Sequence, residues 1–159
     1  MGTLTPSADA RASRALRFDS GIGILGGFVA TLAMTVVLYL AMPLLGGDPA
    51  MARRMAETVG IGMAAGLIIH FLLGTFVFPR AYILLYEKVP GRSWMKGVVW
   101  GAGLWLLAEV LVIPILGGGL FHAKWSGFTG AFVFLIAHLL YGGALGAIIR
   151  ASEPDDVPS

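Results

Sequence analysis

The sequence has no cysteine among its 159 residues. That removes disulfides, thiolate catalysis and cysteine-ligated metals, and it leaves the redox compartment open. Charge is scarce too: 13% of the residues are Asp, Glu, Lys or Arg, against about 25% in soluble domains. No HExxH, no Walker loop and no Ser-His-Asp arrangement is present. Gly21, Gly23, Gly26 and Gly27 lack GxGxxG spacing and a preceding strand, so they form no nucleotide loop. The net charge of +2 does not imply nucleic acid, because no basic patch interleaves with aromatics.

What is present is hydrophobicity. Apolar residues make up 57% of the chain, and the mean hydropathy is +0.84. Four apolar runs, at 22–45, 61–86, 97–116 and 127–149, are long enough to cross a ~30 Å hydrocarbon core. The first run exceeds the ~7–15 residues of a signal-peptide core, so it reads as a retained span. The fold class is therefore an all-α membrane protein with four transmembrane helices in a bilayer. Residues 1–20 and 151–159 read as polar tails, and 21–150 as the transmembrane domain. Between the first two spans, Met51, Met55 and Val59 fall four apart with Arg53, Arg54 and Glu57 on other faces. This spacing predicts a short amphipathic helix at the interface, with Asp48 as its cap and Pro49 at its start. Pro79 predicts a kink in the second span.

Lys and Arg set the orientation. Arg11, Arg14, Arg17, Lys88, Arg92, Lys96 and Arg150 fall on one side, with Arg80 nearby, and Arg53, Arg54 and Lys124 on the other. The positive-inside rule places both termini in the cytoplasm, at the inner membrane.

The chain reads as two helical hairpins in tandem. The first and third spans end alike, Met42-Pro43-Leu-Leu-Gly46-Gly47 against Ile113-Pro114-Ile-Leu-Gly117-Gly118, and the second and fourth share His70-x-x-x-Gly74 and His138-x-x-x-Gly142. Counted from the cytoplasmic ends, His70, Glu109 and His138 lie roughly 18–20 Å deep, with Thr31 and Thr35 near the same level. Ionisable groups at that depth are expensive and mark candidate sites. Glu109 is expected to approach His70 or His138.

Three readings fit that layer. It is a polar network holding the helices in register, in a non-catalytic structural or accessory subunit of a membrane complex. Alternatively, His70 and His138 ligate a haem b iron, or with Glu109 a nonhaem metal. As a third reading, the layer is part of a proton or ion pathway. Gly66, Gly74, Gly142, Gly143 and Gly146 read as packing positions, and the last three offer a face to a partner or a second copy. His122 and Lys124 fall in an outer connection and read as solvated, with His122 a weak candidate ligand.

The chain resembles small bacterial and archaeal four-helix membrane proteins grouped as a domain of unknown function. The resemblance rests on Gly27-Phe-Val-Ala-Thr31-Leu-Ala-Met34-Thr35, His70-Phe-Leu-Leu-Gly74-Thr75, Glu109 with Pro114, and His138-Leu-Leu-Tyr141-Gly142. It covers most of residues 20–150. It implies the same fold and the same polar positions, and no mechanism.

Overall fold

The computed structural model describes residues 20–45, 51–58, 60–91 and 94–151. They form α1 (Ser20–Leu44), α2 (Met51–Thr58), α3 (Met63–Lys88), α4 (Trp94–Ile115) and α5 (Gly127–Ala151). Among the described residues, α1, α3, α4 and α5 are long and apolar enough to cross a membrane. The shortest has 22 residues, about 33 Å of helix against a ~30 Å core. Their outward faces carry exposed Leu25, Leu40, Ile68, Leu84, Leu106, Ile115 and Phe128. A soluble monomer rarely shows so much contiguous apolar surface. This is an all-α, multi-pass membrane protein. Apart from Ser20 and Ala151, the expected tails lie outside the described residues, as do Asp48 and Pro49.

α5 is the hub. It packs along both α4 and α1, and α1 also packs along α3. Lipid tails are as apolar as leucine, so these contacts rest on close backbone approach at small residues. A Cβ on Gly97 or Gly101 of α4 would collide with the carbonyls of Gly142 and His138 on α5. A Cβ on Gly27 of α1 would meet Pro79 and the carbonyls of Gly74 and Thr75 on α3. The face of Gly142 and Gly146 expected to receive a partner is filled inside the chain by α4. Gly143 beside it faces Val98.

The contacts of Gly23 with Ile83, Gly26 with Ile148 and Gly97 with Gly146 put one end of every span together. Here Tyr82, Tyr141, Leu145 and Ile149 form one core. A smaller core of Met42, Ile113, Val133 and Phe134 lies at the opposite end, called the loop end below.

Two prolines reshape their helices in the same way. Proline has no N–H, and its ring crowds the carbonyl four residues back. In α3 the turn Leu73–Val77 widens, so that the Phe78 N–H bonds the Leu73 carbonyl five residues earlier. In that register the Gly74 carbonyl would pair with Pro79, which cannot donate. In lipid an orphaned carbonyl costs several kcal/mol, and Tyr141 Oη–H of α5 meets it at 2.7 Å. In α4 the turn Ala108–Val112 widens ahead of Pro114, with the Ile113 N–H on Ala108. Glu109 thus occupies the position in α4 that Gly74 holds in α3.

Adding a methyl at the α4–α5 crossing should force the helices apart. Gly101→Ala should lower stability by about 2 kcal/mol. Gly103→Ala, where nothing lies within 4 Å, should be neutral or stabilising by up to ~1 kcal/mol. Thermal unfolding in mild detergent compares the two.

Candidate functional site

Because α3 and α4 do not pack as a pair, the bundle is open between them. They meet near the terminal end, where the Tyr82 and Trp100 rings are 5.8 Å apart and Lys96 Nζ donates to the Tyr86 carbonyl at 3.0 Å. Toward the loop end a cavity of about 440 Å³ separates them. All four spans line it, and Ala56 of α2 contributes at its loop end. Its wall is apolar apart from Thr35, Tyr39, His70 and His138. Ile69 and Leu73 of α3, and Leu107 and Val112 of α4, line the cavity and remain 38–49% exposed. The crevice therefore opens sideways, between these two pairs. A second, shallower depression of about 580 Å³ lies between α1 and α3 and is lined by Ile24, Phe28, Phe71 and Phe76. Its lining is apolar apart from Thr75.

The two imidazoles that share the crevice wall are held differently. The Thr35 hydroxyl donates to the Thr31 carbonyl at 2.7 Å. A hydroxyl has one proton, so His70 Nε2–H is the donor in its 3.1 Å bond to Thr35 Oγ1. Thr35 thus meets His70 as their common level suggested. His138 Nδ1–H donates to the Phe134 carbonyl of its own helix at 2.8 Å.

Glu109 bonds neither of these rings. Its Oε2 accepts from His122 Nδ1–H at 2.9 Å, and both side chains are 0% exposed. His122, expected in solvent, is instead folded into the bundle. Its ring packs edge-on against Phe134, with centroids 4.7 Å apart, and rests over Gly130. Phe121 and His122 both adopt left-handed backbone, with φ of 49° and 57°, a conformation costing of order 1–3 kcal/mol for such residues. The loop holds them there through Gly118 N–H on Ile113, Lys124 N–H on Gly118 and Trp125 N–H on His122, at 2.8–2.9 Å. Glu109 Oε1 and His122 Nε2 have no hydrogen-bond partner among the described residues.

The polar positions of the sequence thus form two groups. His70, Thr35 and His138 face one crevice, and Glu109 with His122 stands behind its wall. Phe134 lies between them, touching the rings of both His122 and His138.

The chain belongs to a family of unknown function, DUF6789, whose model matches residues 19–157. No curated protein and no solved structure matches it. Membership in DUF6789 agrees with the resemblance seen in the sequence and adds no activity.

In this DUF6789 chain, no group of three or more His, Cys, Asp or Glu stands together as a metal site among the described residues. His70, His138 and Glu109 therefore do not converge as one ligand set. Gly66 packs on Ala56 at the loop end, and Gly74 on Thr31. The residue that the sequence reading misplaced is His122, read as solvated and found buried. Glu109 lies six residues from the end of α4 at Ile115, only ~9 Å of helix. A loop residue that folds back can reach it, and an acid at that depth needs such a partner.

Removing one member of a buried pair leaves the other uncompensated. His122→Ala should cost about 3 kcal/mol, and Glu109→Leu added in that background should restore at least about half of it. Unfolding of the single and double variants in detergent measures both.

Proposed function

We propose that this protein is a non-catalytic membrane binding protein that takes an apolar molecule from the bilayer into the crevice between α3 and α4. The molecule's polar head rests at His70 and His138. The observation that carries this reading is the cavity of about 440 Å³, apolar except for a few polar side chains and open sideways between two spans. Ligand sites typically measure about 300–1,000 Å³ and combine an apolar lining with a few polar groups that orient the ligand. The exposed flanks Ile69, Leu73, Leu107 and Val112 give lipid-side access. Such a protein suits an accessory subunit that presents its ligand to a membrane partner.

The tandem-hairpin reading fits the same geometry. In each hairpin the glycine four residues after the histidine is where the two helices meet. Gly74 lies against Thr31 and Gly27 of α1, and Gly142 against Gly97 and Gly101 of α4. Both termini face the cytoplasm of an inner-membrane protein in this account, supported by Arg80, Lys88 and Arg150 near the terminal end. A cytoplasm-active reporter fused after Arg150 should work and a periplasm-active one should not. The reverse result would invert the topology.

Native mass spectrometry of protein taken from membranes into mild detergent tests the crevice. A small apolar adduct is expected on the unaltered chain and on Leu106→Trp, whose residue is exposed and does not line the cavity. Leu107→Trp, which fills the crevice, should lose it. An adduct equally present in both variants, or absent throughout, would contradict the reading. A Soret band lost in His138→Ala would replace it with a haem site.

A further inference from the structure

We infer that the crevice selects its occupant by an O–H donor, so that its ligand is an apolar molecule with a hydroxyl head, an alcohol or a hydroquinone. The inference rests on the crevice reading above and deepens it. It follows from where the imidazole protons are committed. A neutral imidazole has one N–H and one lone pair. His70 gives its Nε2–H to Thr35 Oγ1, because the Thr35 proton is already on the Thr31 carbonyl. His138 gives its Nδ1–H to the Phe134 carbonyl, which can only accept. The two nitrogens left over are His70 Nδ1 and His138 Nε2, and both are acceptors.

Neither has a hydrogen-bond partner among the described residues. Of the Thr35 and Tyr39 hydroxyls on the wall, Thr35 has spent its proton on the Thr31 carbonyl. At the level of His70 and His138, inside α3 and α5, the backbone N–H groups are engaged within the helices. The two imidazoles therefore offer lone pairs at the head position, and the side-chain donor on the wall, Tyr39, lies a helical turn from Thr35 toward the loop end. A ketone, ester or ether brought there sets acceptor against acceptor and gives up its own solvation. A hydroxyl completes one bond, and a hydroquinone with two O–H groups can complete both. A metal ion would also accept lone pairs, but no third His, Cys, Asp or Glu stands with these two.

A site built to bond a hydroxyl rejects an analogue lacking it more strongly than an apolar pocket rejects a change of shape. Three probes with one carbon skeleton separate these effects: a C15 prenyl alcohol, its methyl ether and the parent hydrocarbon. Each is titrated into the full chain in lipid nanodiscs and followed by native mass spectrometry. The alcohol should bind about tenfold tighter than the ether. That preference should shrink to about twofold in His138→Phe, which keeps a ring of similar size without an acceptor. Thr35→Val frees the His70 tautomer and should reduce the preference about threefold, so the test survives a His138 variant that fails to fold. Equal binding of all three probes would overturn the hydroxyl inference and leave the crevice reading standing. Tighter binding of the ether would overturn it as well. No binding by any probe, with Leu107→Trp indistinguishable from the unaltered chain, would remove the crevice reading itself.

Discussion

Close approach of backbone to backbone at glycine determines the form of this bundle. Gly97 and Gly101 let α4 lie against Gly142 and Gly146 of α5, and Gly27 lets α1 lie against Gly74 of α3. Between lipid-solvated helices no hydrophobic force draws the remaining faces together. Two tight hairpins joined through α1 and α5 therefore leave α3 and α4 apart. The aromatic contact of Tyr82 with Trp100 closes that gap near the terminal end, and the loop half stays open as the crevice. Larger residues at the glycine positions would alter both the packing and the cavity it creates.

The polar groups follow from the second constraint of a bilayer, that main-chain groups find partners inside the protein. Pro79 withdraws a donor, the α3 turn widens, and Tyr141 supplies the missing proton to Gly74. Pro114 widens α4 in the same way, and that turn carries Glu109, whose carboxylate is met by His122 from a strained loop. Such wide turns recur at functional sites because they re-aim side chains without ending the helix. Here one wide turn anchors α3 to α5, and the other ties the loop end to α4 through a buried acid–imidazole pair. Phe134 separates that pair from His138 and the crevice.

Much of this was legible in the chain. The spans expected at 22–45, 61–86, 97–116 and 127–149 match α1, α3, α4 and α5 to within a few residues, because long apolar runs leave few alternatives. Thr35 and His70 do share a level, joined by a 3.1 Å hydrogen bond, and His138 lines the same crevice. Three features were not read. Helix depth was counted from the terminal end alone, which hid how near Glu109 stands to the opposite loop and to His122. Pro79 predicted a kink, but a proline does not state whether the helix bends or widens, and the orphaned carbonyl that decides this depends on Tyr141, 67 residues away. The glycines at 142 and 146 read as free for a partner because their neighbour, Gly97-x-x-x-Gly101, was not paired with them.

The absence of cysteine makes the central claim directly measurable, since an introduced pair is the only pair. Ile69 and Leu107 line the crevice from opposite sides. A disulfide needs Cα atoms closer than about 7 Å. With Ile69→Cys and Leu107→Cys in one chain in membranes, mild oxidation should give little disulfide, while a longer bis-maleimide should join the two helices. Bound hydroxyl ligand should slow that reaction. Rapid, complete disulfide formation in the membrane would mean that α3 and α4 are packed together, and there would be no crevice to fill.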